Sequence, residues 1–221
     1  IIFNTFYTLV SFWLIRKYQL LDLAGLGNKF KFKNWFLLLF PLYLVLINIP
    51  DPGDVNLVSA TTLNYVLLIL WSLSVGFSEE FMLRGFTQSL LLTKYGKTKK
   101  GIFFSVIGAA MIFGLLHLVK FDKGLYGEIA QVLFATFIGT MFGAILLRTH
   151  KLWPLILMHA LIDVFGNLNK LEPVKKVVEN PIVENSMFDS LILAIIVFPC
   201  FIYGLILLRK VKVEEVQKKI H

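Results

Sequence analysis

The sequence predicts an all-α membrane protein, a polytopic bundle of about seven transmembrane helices that forms one membrane domain over residues 1–221. Two observations support this class. Of the 221 residues, 57% are hydrophobic and 16% are charged, with a mean hydropathy of +0.75, whereas average soluble domains have roughly half and a quarter. The apolar residues also fall into blocks close to the ~20 helical residues that cross ~30 Å of hydrocarbon.

Seven apolar blocks are predicted to form the spans. In order they are Ile1 to Ile15, Trp35 to Ile49, Thr62 to Leu92, Ile102 to Val119, Ile129 to Leu147, Leu152 to Leu168 and Leu191 to Leu208. The second and sixth blocks are short for a full span, and the third is about ten residues too long, so it should tilt, protrude or break. Gly76 and Gly85 are its weakest points, because glycine lowers helix stability. Since Ile1 lies inside an apolar run without a starting Met, we expect further residues upstream.

The basic residues concentrate in alternate connections between these blocks. Sixteen of the 22 lie in residues 16–33, 94–100 and 148–151 and in the tail from residue 209. The intervening connections, Asp51 to Ala60, Lys120 to Glu128 and Asn169 to Asp189, hold five basic and eight acidic residues. This positive-inside pattern puts the C-terminus in the cytoplasm. It also explains the net charge of +8 as a topology signal, so we expect the lipid bilayer as a partner and no nucleic acid.

A set of ionisable side chains falls inside the apolar blocks, where such groups cost several kcal/mol unless they are paired. The set is Glu79, Glu80, Arg84, His117, His159 and Asp163. Glu80 and Arg84 are four residues apart and can pair on one helical face, while Glu79 points about 100° away. The pair would therefore brace the helix and leave Glu79 free. His159 and Asp163 also share a face, and the depths of all these residues allow them to meet in one intramembrane cavity.

Three short motifs contain these residues in a fixed order. They are EExxxR at residues 79–84, FxxxH at residues 113–117 and HxxxN/D at residues 159–163. With them the chain resembles the CPBP family, which includes CAAX prenyl proteases and bacteriocin-processing or bacteriocin-immunity proteins. The resemblance implies a catalytic core over residues 62–168 and an intramembrane endopeptidase. Its substrate would be a peptide or protein, with prenylated and other lipid-anchored chains included.

The resemblance also implies a role for each residue of the site. Glu79 would activate the attacking water, and His117 would hold that water and carry its proton. His159 and Asp163 would occupy the positions that stabilise the oxyanion. The last motif position is often Asn, which donates an amide hydrogen bond, whereas Asp163 donates only when it is protonated.

The sequence favours a site without a metal or other cofactor. No pair of histidines lies one helical turn apart, and HExxH is absent from the sequence, so the usual nucleus of a helical zinc site is missing. The alternative is a zinc ion with ligands drawn from His117, His159, Asp163 and Glu79.

Plainer interpretations stay open beside the catalytic one. A histidine in a span often makes only an interhelical hydrogen bond, Gly139 and Gly143 form a small-residue packing motif, and the many Phe residues suit lipid-facing and core positions. At the level of the whole protein, one alternative is a CPBP-fold binding or bacteriocin self-immunity protein that does not cleave. Another is a proton-coupled transporter, although we find no inverted repeat or paired broken spans in the sequence.

Overall fold

The computed structural model describes residues 1–50, 60–119, 123–171 and 186–220, and over these ranges it is helical without β-strands. The all-α prediction is therefore confirmed. The α-helices are α1 (Ile2–Lys17), α2 (Leu42–Leu46), α3 (Thr62–Glu80), α4 (Ser89–Tyr95), α5 (Lys99–Leu116), α6 (Gly124–Thr149), α7 (Trp153–Gly166), α8 (Met187–Arg209) and α9 (Val213–Ile220). The 3-10 turns are Trp35–Leu38, His117–Val119 and Leu168–Leu171, and a π-helix covers Phe81–Gln88.

Helix length distinguishes two kinds of predicted span. Within the described ranges, four segments are long and apolar enough to cross a membrane, namely Thr62–Tyr95, Lys99–Val119, Gly124–Thr149 and Met187–Arg209. The other predicted spans are shorter, because α1 has 16 residues, α7 has 14, and the second block is a 3-10 turn followed by the five-residue α2. The prediction of about seven spans is therefore approximate, while the integral membrane class holds.

The third apolar block does not break at Gly76 or Gly85, although a break is one of the outcomes that its length predicts. It runs continuously from α3 through the π-helix into α4, over Thr62–Tyr95. Gly76 instead serves close packing, because a Cβ there would lie 2.9 Å from the carbonyl oxygen of Ile156 on α7. At about 1.5 Å per residue this 34-residue segment is longer than the ~30 Å of hydrocarbon that one span crosses.

The distortion in this segment is the π-helix around Gly85. The Thr87 hydroxyl donates to the Met82 carbonyl oxygen at 2.9 Å, and the Ser89 hydroxyl donates to the Arg84 carbonyl oxygen at 3.2 Å, so both bonds reach five residues back. π-Helical segments are rare and are frequently found at functional sites. Arg84 and Gln88 both have buried side chains in this segment.

Helix α6 lies at the centre of the bundle and packs against α5 on one side and α8 on the other. Its second half is almost entirely buried, with Met141, Phe142 and Ile145 inaccessible to solvent. The approach of α8 is close at Gly204, where a Cβ would lie 2.9 Å from the Met141 amide nitrogen. A second group forms around α3, which packs against α7 and α1. These two groups meet at the π-helix.

The four basic connections meet at one end of the bundle. Lys99 Nζ donates to the Arg209 carbonyl oxygen at 2.9 Å, and Arg148 Nη1 donates to the Lys210 carbonyl oxygen at 2.7 Å. Lys33 Nζ lies 3.2 Å from Glu215 Oε2 on α9. This common end, which we call the basic face, is the arrangement that the alternating charge pattern requires of connections on the same side of a membrane.

Two features of the connections differ from expectation. The tail after α8 contains the amphipathic helix α9, whose Val216 is buried against the bundle. Helix α6 begins at Gly124, earlier than the predicted block, so Glu128 belongs to a helix and is 1% exposed rather than part of a polar connection. The connections predicted at Asp51 to Ala60 and Asn169 to Asp189 lie largely outside the described residues.

Candidate active site

Glu80 joins the first and third motifs at the junction of α3 and the π-helix. Its Oε1 lies 2.9 Å from Arg84 Nη1 and 2.8 Å from His159 Nδ1 on α7. The side chains of Glu80 and Arg84 are 0% and 3% exposed, so this pair is buried inside the bundle. A buried ion pair requires well-placed hydrogen bonds to offset the cost of desolvation, and His159 supplies one here.

Glu79 points away from this buried pair and lies on the wall of a cavity. Its side chain is 32% exposed, and its Oε2 lies 3.4 Å from His159 Nε2. Asp163 Oδ2 lies 3.8 Å from the same nitrogen, one turn along α7. The two consecutive glutamates thus contact opposite edges of one imidazole ring.

His159 faces carboxylate oxygens at both ring nitrogens, Glu80 at Nδ1 and Glu79 with Asp163 at Nε2. An imidazolium ring carries a donor at each nitrogen, whereas a neutral ring carries only one. The surroundings of His159 therefore suit the charged ring. In that form it neutralises part of the negative charge that three carboxylates concentrate within the membrane.

His117 lies at the end of α5, where the α-helix gives way to the 3-10 turn His117–Val119. Its Nδ1 lies 3.0 Å from the Phe113 carbonyl oxygen, and its ring packs edge-on against the Phe113 ring at 4.7 Å between centroids. The FxxxH spacing thus orients the imidazole through both the backbone and the side chain of Phe113. His117 faces the same cavity as Glu79.

The cavity has a volume of about 560 Å³ and lies between α1 and the α5–α6 pair, with the start of the π-helix as a further wall. Its polar lining includes Glu79, His117, Lys123, Glu128 and Gln131. Its apolar lining is Phe3, Met82, Leu83, Phe113, Leu116 and Val119, with Tyr7 and Ser78 between them. A mainly apolar cavity with a few converging polar groups is the usual form of a ligand site.

Sequence reasoning missed the polar group at the other end of this cavity. Glu128 Oε1 accepts a hydrogen bond from the Lys123 backbone N–H at 2.9 Å, and Lys123 Nζ donates to Gln131 Oε1 at 2.8 Å. The signal was present in the sequence, because Glu128 and Gln131 are spaced as neighbours on one helical face at the start of the apolar block.

Two phenylalanine rings hold the Arg84 guanidinium, a role that composition alone did not reveal. The Arg84 Cζ lies 5.5 Å from the centre of the Phe113 ring and 5.4 Å from the centre of the Phe142 ring. The small-residue motif on α6 makes room beside them. A Cβ at Gly139 would lie 2.9 Å from the Cβ of Ala110 on α5, which borders the same small gap as Arg84. One at Gly143 would collide with Gln88 Oε1.

The site holds several possible metal ligands in Glu79, His159 and Asp163. Across the described residues, no group of three His, Cys, Asp or Glu side chains has an arrangement that could hold a metal ion. Both nitrogens of His159 already face carboxylates. A site without a metal, with zinc as the alternative, therefore remains a prediction.

The fold and the site define a polytopic membrane protein in which Glu79 and His117 line a cavity, while His159 and Asp163 lie outside its lining and His159 contacts Glu79. Residues 61–165 match the family model described as Type II CAAX prenyl endopeptidase Rce1-like. This part of the chain, which carries all three motifs, is similar to the Rce1-like domain, and the predicted resemblance to the CPBP family is confirmed for it. No curated protein and no solved structure matches the chain.

Proposed function

We propose that the protein is an intramembrane endopeptidase of the CAAX-protease-like type, which hydrolyses a peptide bond with a water molecule activated by Glu79. The observation that carries this proposal is the position of Glu79. Its carboxylate lies on the cavity wall within 3.4 Å of His159, while the neighbouring Glu80 anchors the same histidine from the buried side. A general base must be able to reach both water and substrate, and Glu79 is the glutamate of the pair that lines the cavity.

In the proposed reaction, water enters the cavity beside Glu79 and His117. The Glu79 carboxylate takes a proton from the water while the water oxygen attacks the carbonyl carbon of the scissile bond. The C–N bond then breaks, and the proton passes to the leaving amine, with His117 assisting the transfer. General acid–base assistance of this kind contributes about 10² to 10⁴-fold to a rate.

His159 would stabilise the negative charge that forms on the carbonyl oxygen. Its Nε2 already faces the Glu79 carboxylate, so an oxyanion formed next to Glu79 would lie within reach of the same N–H. Donors that are fixed before the reaction stabilise developing charge most effectively. Glu80 fixes this donor, because its bond to Nδ1 holds the imidazole ring in place.

Asp163 fits a supporting role on this scheme. Its Oδ2 lies 3.8 Å from His159 Nε2 on the same helical face. As a carboxylate it accepts hydrogen bonds only, so it would orient His159 or the water; as a carboxylic acid it would donate to the oxyanion. In both forms Asp163 lies beside His159 Nε2, the ring nitrogen that would face the reacting carbonyl.

The cavity lining favours a substrate with apolar side chains next to the scissile bond. Phe3, Met82, Leu116 and Val119 belong to the apolar part of the lining, and α1 exposes further apolar residues. The proposed substrate is therefore a peptide or a membrane-anchored protein segment, prenylated or otherwise lipid-anchored chains included. The bilayer itself would hold such a substrate at the depth of the site.

Comparative peptidomics of cells that express the wild type or Glu79→Ala tests the proposal. We expect a new processed terminus that appears only with the wild type, and this terminus would also identify the substrate. If the peptide sets are identical at matched expression, proteolysis is contradicted. Solute flux in proteoliposomes would then point to a transporter, and capture of an uncleaved peptide by both proteins would point to a non-catalytic binding protein.

A further inference from the structure

The α6 residue Phe142 lies between two parts of the candidate active site without touching the cavity. Its side chain is fully buried, and its ring centre lies 5.4 Å from the Arg84 guanidinium carbon. On the His159 side, the two ring centres are 6.2 Å apart with an interplanar angle of 62°. One aromatic ring thus contacts both residues that flank Glu80.

The chemistry of these contacts suits a ring with a negative face and positive edges. A guanidinium within about 6 Å of an aromatic centroid is attracted to the ring face, and the attraction is stronger where water is absent. Edge-to-face contacts are favourable between aromatic rings. Arg84 has a second aromatic partner in Phe113, which also packs on His117. Each ring therefore links the guanidinium to one of the two histidines.

The packing of α6 keeps Phe142 in register with the π-helix. Gln88 Nε2 donates to the Gly143 carbonyl oxygen at 3.2 Å, next to Phe142 in the chain. Gly143 has no Cβ, and a side chain there would collide with Gln88 Oε1. The small-residue motif thus makes room at Gly143 for Gln88 of the π-helix. This role is more specific than general helix packing. This contact sets the height of the Phe142 ring relative to Arg84.

We propose that Phe142 is a positioning residue for the proposed protease: its ring packs against the Arg84 guanidinium and the His159 ring, and thereby fixes Glu80 and the imidazole donor. The inference rests on the proposed function, but the cation–π contact does not. Removing the ring's negative face should let Arg84 shift against Glu80 Oε1, and His159 would lose a fixed orientation. The predicted loss falls on kcat, because Phe142 contacts no substrate.

Fluorinated phenylalanines at position 142 provide the test, because added fluorine weakens the negative ring face while nearly keeping the shape. We expect kcat to fall stepwise with one, two and three fluorines, by about fivefold or more at three, with KM little changed. Phe137 is the matched control, since it lies on the same helix against Phe198 and Phe201. The same series at Phe137 should leave kcat unchanged.

Thermal unfolding supplies an arm that needs no activity. Trifluorophenylalanine at position 142 should lower Tm in the protein with Arg84 but not in Arg84→Met, because the cation is then absent. Equal kcat and Tm across the fluorine series, with Phe142→Leu equal to wild type in kcat, would overturn the proposal. A wild type that cleaves nothing would refute the protease, and the unfolding arm would still decide whether Phe142 holds Arg84.

Discussion

Glu80 Oε1 and His159 Nδ1 lie 2.8 Å apart, although 79 residues separate them in the chain. The same oxygen lies 2.9 Å from Arg84 Nη1. One buried oxygen atom therefore ties the end of α3, the π-helix and α7 together. Substitutions in this buried contact should therefore lower stability as well as activity, whereas a substitution on the cavity wall should lower activity alone.

Replacement of the cavity-facing glutamate should remove activity alone. In Glu79→Gln the amide cannot take a proton from water, so we expect cleavage to fall by about 100-fold or more. Its side chain is partly exposed, so the protein should still insert and accumulate with a Tm close to wild type. Purified wild type and variant, compared in one cleavage assay, provide the measurement. Turnover near the wild-type rate in Glu79→Gln would remove the proposed mechanism.

Replacement within the buried pair should affect stability as well as activity. Glu80→Gln or Arg84→Ala leaves a charged partner unpaired in a dry site, which costs about 3 to 5 kcal/mol. Thermal unfolding in detergent should show a lower Tm for each single variant. The double variant Glu80→Gln/Arg84→Met serves as the control, since it removes both charges and should recover part of the loss. A pair of single variants with wild-type Tm would contradict the brace.

Orientation in the membrane follows from the charge pattern and can be measured by thiol labelling. On a Cys200→Ala background, cysteines at Lys97 and Lys212 should be protected from an impermeant reagent in intact cells, because the basic face should be cytoplasmic. Cysteines at Asp54 and Lys176, which lie outside the described residues, should react. Permeabilised cells provide the control for reactivity at all four positions. Labelling of Lys97 from outside would reverse the orientation of the whole bundle.

Metal dependence separates direct water activation by Glu79 from zinc chemistry. We predict that the purified enzyme contains substoichiometric zinc and stays active after dialysis against 1,10-phenanthroline. Elemental analysis must accompany the assay, since a buried ion resists removal. The opposite result has a defined form: stoichiometric zinc that is lost in His117→Ala and His159→Ala, with activity lost on chelation and restored by zinc.

Protonation of His150 at the basic face should lower the stability of the folded protein in mild acid. Burial, together with the positive charges of Lys219, Lys33 and Arg148, lowers the pKa of His150 from its usual 6.5 to about 4, while Glu215 opposes the shift. The unfolded chain therefore binds a proton more readily than the folded protein between these values, so stability falls as pH drops from about 6.5 toward about 4.

Unfolding curves at several pH values test this assignment. The Tm of the wild type should decrease across that window, and His150→Gln should show a smaller decrease because it cannot take up the proton. Glu215 contributes in the same direction only below its usual pKa of 4.5, because burial raises its pKa but the hydrogen bond and charge of Lys33 outweigh burial and lower it. Identical pH dependence in wild type and His150→Gln would show that other groups control the effect.

Local spacing predicted much of the candidate site. The i, i+4 rule paired Glu80 with Arg84 and turned Glu79 away, and both relationships occur in the structure. Rise per residue allowed His159 to meet the glutamates across the bundle, and it does. These features depend on geometry within one helix and on depth in the membrane, which a linear sequence carries.

Other features depend on contacts that a linear sequence does not carry. The π-helix changes the helical period over eight residues, and a hydrophobic pattern with a period of 3.6 cannot register it. The sequence does not distinguish Phe142 from the other aromatic residues of the apolar blocks. Its role depends on how α6 packs against Arg84. The charge pattern places Glu128 in a connection, whereas in the structure it belongs to α6 and lines the cavity.

The tie at Glu80 also imposes an order on biogenesis. The segment Thr62–Tyr95 leaves the ribosome with its glutamates and Arg84, but His159 follows Glu80 by 79 residues. At about 5 to 20 residues per second, that gap lasts several seconds. During this time Glu80 and Arg84 have only each other, and charges in hydrocarbon are costly without further partners. The nascent segment should therefore stay beside the insertion machinery until α6 and α7 arrive, and nascent chains that end before Trp153 should remain crosslinkable to it.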